Sequence, residues 1–253
     1  MSSNIRAVLA TSAVLLLATN VGPTAAAELR VSGAATVAGR IVVPNKAAIE
    51  QEIDATLNVT VNGDGNGLKD LYAGKSDVAM IAAPLQVTEA TLNKANPGSI
   101  SIAGFEVVSL GTTSISFVTN PANPIKALSS AQIKDIFTGK ITSWKEVGGA
   151  DQPVMVVVEV PGLGTRANVV ATLLGGADIT DKARVMQALV QVVQVVGQVP
   201  NAIGYGNAAS ITGAVTVIPG VEVAQPLGLA TKGQPSEAAK KFIASATKYA
   251  QVK

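Results

Sequence analysis

The 253-residue chain contains no cysteine and no histidine. Without cysteine there is no disulfide framework, no thiol nucleophile and no thiolate metal site. Without histidine there is no Ser-His-Asp triad, no imidazole base and no ordinary transition-metal site. Catalysis would rest on carboxylates, lysines and hydroxyls, and no carboxylate pair stands at a spacing that marks an acid/base couple. The composition therefore favours a binding protein over an enzyme and calls for no cofactor. Aromatics are also scarce, with one Trp, three Tyr and four Phe, and 19 basic residues against 17 acidic leave a net charge of only +2. A nucleic-acid partner is excluded on this ground, because neither a basic face nor stacking platforms are available.

Hydrophobic residues nevertheless make up 48% of the chain, so Ala, Val, Ile and Leu fill the core. After Arg6 an apolar run, Ala7 to Ala18, leads through a Pro-containing stretch to Ala25-Ala26-Ala27. That is the pattern of a Sec-type signal peptide over residues 1–27, cleaved near Ala27, and it implies a periplasmic or secreted protein. The run is shorter than the roughly 20 residues of a membrane-spanning helix.

From Glu28 onward, short apolar runs alternate with helical patterns, which predicts an α/β fold with largely parallel sheets. Strands are expected at 29–33, 57–62, 77–82, 103–109, 113–119, 154–159, 202–205 and 214–218, and helices near 39–53, 67–74, 87–94, 130–138, 165–175, 181–197 and 235–248. Ser130 is the expected cap of the fourth helix, and Ile133, Ile136 and Phe137 form its apolar face. Segment 185–199 is rich in β-favouring Val, but its length and the Leu189, Val192, Val193, Val196 spacing read as helix. Gly-, Asn- and Pro-rich stretches at 110–122 and 200–207 are the expected crossovers, giving one lobe from 28–112 with 206–253 and a second from 113–205, with a cleft between them.

The middle block carries specific motifs. Asn120-Pro121-Ala122-Asn123-Pro124 precedes Leu128-Ser129-Ser130-Ala131-Gln132-Ile133-Lys134-Asp135-Ile136-Phe137-Thr138-Gly139-Lys140-Ile141-Thr142-Ser143-Trp144, with Val147-Gly148-Gly149 beyond. Around it, in order, stand Gly33–Val37 (GAATV), Gly63–Leu68 (GDGNGL), Asp77–Leu85 (DVAMIAAPL), Pro161–Arg166 (PGLGTR) and Ala202–Tyr205 (AIGY). Together these resemble the phosphate-type periplasmic substrate-binding proteins of ABC transporters over nearly the whole chain after the leader. The resemblance implies a type II two-lobe fold, each lobe a mixed, mostly parallel sheet flanked by helices. It also implies no catalysis, a small oxyanion such as phosphate as ligand and an ABC permease as partner.

The resemblance assigns the ligand site to Thr36, Asp64, Asn66, Gly67, Gly164, Thr165 and Arg166. Its logic is that helix N-termini, hydroxyls and a cation hold an anion. Read from the residues alone, Asp64 and Thr165 serve equally well as helix caps. The alternation Asn62-Gly63-Asp64-Gly65-Asn66-Gly67 also has the look of a calcium loop, but it lacks the closing Glu, since Ala73 stands at the twelfth position. Four positions depart from the family pattern: Ala35 replaces a hydroxyl, Ala82 an Asp, Glu159 an Arg and Leu163 a Ser. A charge-assisted hydrogen bond is worth roughly 1.5–3 kcal/mol. Several such losses would remove much of a micromolar affinity of about 8 kcal/mol. The expectation is weakened phosphate binding or an altered small ligand; the alternative is a degenerate scaffold that serves as an extracellular structural, matrix or signalling module and self-associates.

Overall fold

The computed structural model describes residues 27–251. The leader expected over 1–27 lies outside them except for Ala27, which opens the first strand. Eight strands form one curled sheet in the order β2-β1-β3-β8-β4-β7-β5-β6. At one end β1 (Ala27–Gly33) pairs in parallel with β2 (Ala55–Val61) and β3 (Val78–Ile81). At the other, β5 (Met155–Glu159) pairs in parallel with β6 (Arg184–Met186) and β7 (Ala202–Asn207). Between them two long strands, β4 (Phe105–Thr119) and β8 (Thr216–Lys232), make an antiparallel ribbon belonging to both lobes.

The ribbon differs from the expected strand list. Segments 103–109 and 113–119 are one strand, because Gly111 at φ 104 absorbs a register shift between Ser109 and Gly111 without ending the ladder. The expected 214–218 strand continues to Lys232. Its Pro219-Gly220 pair reads as a turn in sequence, but pairing resumes at Glu222 after an excursion that Gly220 makes at φ 78. The stretch 200–207, expected as a crossover, contains a strand. Residues 202–207 form β7 inside the second lobe, paired with β4 and β5, and the return runs through β8.

Two sets of apolar cores flank the ribbon. The first lobe draws on Leu29, Val31, Ile49, Met80, Leu229 and Phe242, with Leu68, Leu71 and Ile81 on the opposite sheet face. The second is built around Phe117, Phe137 and Tyr205, whose ring centroids lie 5.5–6.3 Å apart, together with buried Trp144. Its other face carries Val192, Val193 and Val196.

The helices are α1 (Ala35–Val37), which continues as π-helical turns over Ala38–Val42, α2 (Lys46–Ile53), α3 (Asp64–Tyr72), α4 (Leu85–Ala95), α5 (Ser130–Phe137), α6 (Gly164–Asn168), which runs into π-helical turns over Val169–Leu173, α7 (Leu189–Gln198) and α8 (Glu237–Gln251). The helix expected over 181–197 starts only at Leu189, since Arg184–Met186 extends the sheet at its edge beside β5. No helix among the described residues is long and apolar enough to cross a membrane.

The cap of α5 is Ser129, one residue earlier than expected. Its Oγ accepts from Gln132 N–H at 3.2 Å, and Gln132 Oε1 accepts from Ser129 N–H at 2.8 Å. Such a reciprocal box satisfies two N–H groups at once. Ser129→Ala is expected to cost about 1 kcal/mol in urea denaturation. Ser130→Ala, which removes no capping bond, should change stability by less than about 0.5 kcal/mol.

Candidate functional site

The carboxyl ends of β1, β2, β3, β5 and β6 open onto one cleft between the lobes, the usual ligand position in open α/β sheets. It encloses about 500 Å³. The first lobe contributes Ala35, Thr36, Asn62, Asp64, Asn66, Lys69 and Ala82; the second contributes Glu159 to Thr165 and Gln187 to Leu189. Apart from Lys69 in the body of α3, these groups sit where a strand ends and the chain turns into the next helix, so sheet pairing fixes their backbone.

Asp64 lies at the centre of the cleft and is 3% exposed. Its Oδ2 accepts from the N–H of Ala82, at the end of β3, at 2.5 Å, and its Oδ1 accepts from the N–H of Gly164, at the start of α6, at 3.0 Å. The carboxylate thus joins the lobes. Neither Asp64 nor Thr165 caps its own helix, since the N-cap positions of α3 and α6 are Gly63 and Leu163; Asp64 instead accepts the first N–H of α6 from across the cleft. The calcium-loop reading fails as well: Asp64 faces N–H donors, and Asn62 Nδ2 donates to Asp70 Oδ2. Burial pushes the Asp64 carboxyl up to about 6, against the pull of the N–H donors.

Glu159 ends β5 and is likewise 3% exposed. Its Oε2 is buried without a hydrogen-bond partner in the chain. Burial first, and the Asp64 charge second, raise its carboxyl to about 8, so that it is largely protonated at neutral pH. Arg166 does not neutralise it through a carboxylate pair; its Nη1 donates to the main-chain carbonyl of Glu159.

The remaining expected site residues divide into two groups. Thr36 and Thr165 line the cleft, but their hydroxyls already accept from Asn207 Nδ2 at 3.3 Å and Gln225 Nε2 at 3.0 Å. Asn66 lines it with its amide turned back to the Asn62 carbonyl, and Gly164 offers its N–H to Asp64. Gly67 and Arg166 stand outside the cleft. Gly67 is buried against β1 with its N–H inside α3, donating to the Gly63 carbonyl. Arg166 lines a neighbouring groove between α4 and α6. Sequence reasoning missed Asn168, whose Nδ2 donates to the Ala82 carbonyl at 2.8 Å, as well as Asn207 and Gln225. Asn168 and Asn207 each stand two residues past a motif, and Gln225 is remote from all of them, but only tertiary contact joins the three to the site.

A family model described as a PBP superfamily domain matches residues 18–241. The phosphate-binding protein PstS of Bacillus subtilis is 28% identical over 181 residues, which cover 72% of this chain and 57% of that protein. The match therefore spans little more than half of that relative's length. A crystal structure of a putative phosphate ABC transporter substrate-binding protein from Clostridium perfringens, with bound phosphate, superposes with a TM-score of 0.73 at 27% identity, covering 86% of this chain and 92% of that one. An ABC-type phosphate transport receptor from Vibrio cholerae shares the fold, with a TM-score of 0.69 at 24% identity over 86% of this chain and 93% of that one. With the cleft at the strand ends, the two-lobe sheet and the family match over most of its length, the chain belongs to the PBP superfamily.

Proposed function

We propose that this chain is an exported, non-catalytic solute-binding protein of the phosphate-receptor type, with weakened or altered affinity for phosphate. The observation that carries this reading is the pair of buried carboxylates, Asp64 and Glu159, facing the cleft while the Arg166 guanidinium is turned onto a main-chain carbonyl. An anion entering here meets either negative charge or a proton that must be retained, and Lys69, the cation among the lining residues, is exposed rather than buried. The relatives are named for phosphate, so phosphate is the first solute to test, and an ABC permease is the partner the same reading implies. The lobes hinge where the β4–β8 ribbon passes from one core to the other, near Gly111 and Pro226.

Isothermal titration of protein refolded free of ligand is expected to give a phosphate Kd of about 1 mM or weaker at pH 7, roughly 4 kcal/mol short of micromolar binding. A Kd at or below about 1 µM would overturn the reading. A second reading, a degenerate scaffold used as an extracellular interaction module, is favoured by the internal pairing of Thr36 and Thr165. It requires self-association on light scattering together with indifference to every anion tested.

A further inference from the structure

Several hydrogen bonds of the chain cross the cleft from one lobe to the other. Besides the bond from Gly164 N–H to Asp64 Oδ1, Gly65 N–H donates to the Gly162 carbonyl at 3.0 Å, and Asn168 Nδ2 reaches the Ala82 carbonyl at 2.8 Å. The second lobe is shaped around the Asp64 carboxylate. A Cβ at position 164 would lie 2.4 Å from Asp64 Oδ2 and 2.5 Å from its Cγ, so only glycine lets the carboxylate reach that N–H. Gly63, which holds φ 86 just before Asp64, packs in turn against Leu163, whose Cδ2 is 2.4 Å from the position a Cβ would take.

We propose that Asp64 is a built-in anion, a specificity-determining residue that takes N–H groups from both lobes and closes the cleft without a solute. Closure in a two-lobe receptor comes from a ligand that contacts both lobes. Here one tethered carboxylate makes both contacts. Being intramolecular, it acts at the effective concentration of a short linker, in the millimolar range or above, and any free oxyanion must displace it. The apparent affinity of such an anion falls by the fraction of molecules in which the N–H groups are free. Solutes that do not need those N–H groups are not penalised, so Asp64 selects against anions. The inference rests on the reading of the cleft as a solute site between moving lobes.

The test uses the mature protein, its Asp64→Ala and Asp64→Ser variants and, as an independent way to dislodge the carboxylate, Gly164→Ala. Small-angle scattering is expected to show the wild type compact with or without about 10 mM phosphate. Asp64→Ala should be measurably larger and should contract on adding phosphate. Titration calorimetry should give Asp64→Ala and Asp64→Ser at least about 100-fold tighter phosphate binding than wild type. Circular dichroism establishes folding, and if Asp64→Ala does not fold, Gly164→Ala carries the same expectation of an enlarged form. A variant as compact as wild type, or a phosphate affinity within roughly threefold of it, overturns the proposal. Micromolar binding by wild type together with an enlarged Asp64→Ala would instead sink the weak-binding reading and leave the latch standing.

Discussion

Glu159→Gln is expected to stabilise the protein increasingly as pH rises, with an advantage at pH 8 exceeding that at pH 5 by on the order of 3 kcal/mol. The reason is linkage. Glu159 titrates near 8 in the folded protein, against an ordinary value of 4.5, because burial and Asp64 disfavour its charged form. A carboxyl raised in this way contributes stability that is full below about 4.5 and is lost as pH climbs through 8, at roughly 1.4 kcal/mol per pKa unit. Asp64, raised to about 6, adds a loss of the same sign between its ordinary 3.8 and 6. Glutamine has no proton to lose, and its shape matches the protonated acid. Opposing trends come from carboxylates held low, such as Asp77 beside Arg30, whose contribution is lost only as pH falls below the ordinary carboxylate range. Wild type should therefore be most stable near pH 5. Urea denaturation of both proteins at pH 5, 6, 7 and 8 measures this, and a difference that stays flat across that range would show that Glu159 is not buried as described.

Gly67→Ala should destabilise the protein by about 3 kcal/mol, the upper end for a methyl forced into a packed core. Helix propensity alone predicts the opposite, a gain of up to about 1 kcal/mol for alanine inside α3. Sterics win because a Cβ at position 67 would stand 2.5 Å from Gly33 Cα, 2.9 Å from the Ser32 carbonyl oxygen and 3.0 Å from Gly33 N. All three are backbone atoms of β1, which β2 and β3 hold from both sides, so no rotamer change relieves the clash. Gly39→Ala is the control: nothing lies within 4 Å of its Cβ position, and the change should be neutral or slightly stabilising. Equal midpoints for the two variants in urea would refute this account of Gly67.

The same glycine shows how far the sequence could be read. Its place in Gly63-Asp64-Gly65-Asn66-Gly67 marked a strand-to-helix turn at the cleft, and the turn is there. Its assignment as a ligand contact did not follow, because a glycine needed for close helix–strand approach and one offering its N–H look the same in sequence. Ser129 and Ser130 pose a similar ambiguity: either can cap, and the choice fell to Ser129 only through its backbone, extended at φ −75 and ψ 160. Local periodicity and punctuation made most elements legible. They failed at the ribbon, where Gly111 and Pro219-Gly220 mimic chain breaks that neighbouring-strand pairing overrides.

The sequence by itself determined what this protein lacks: no thiol, no imidazole and little net charge. It also determined the α/β alternation and the motif order that marks the superfamily, since both are carried by residues near one another in the chain. Only the tertiary structure decided what the cleft does with its remaining groups. Asp64 and Gly164 lie 100 residues apart, and their 3.0 Å bond depends on two sheet ends converging on one point. Arg166 and Glu159, seven residues apart, end as a guanidinium on a carbonyl and a protonated acid beside it, because burial, which no local pattern encodes, sets the protonation state.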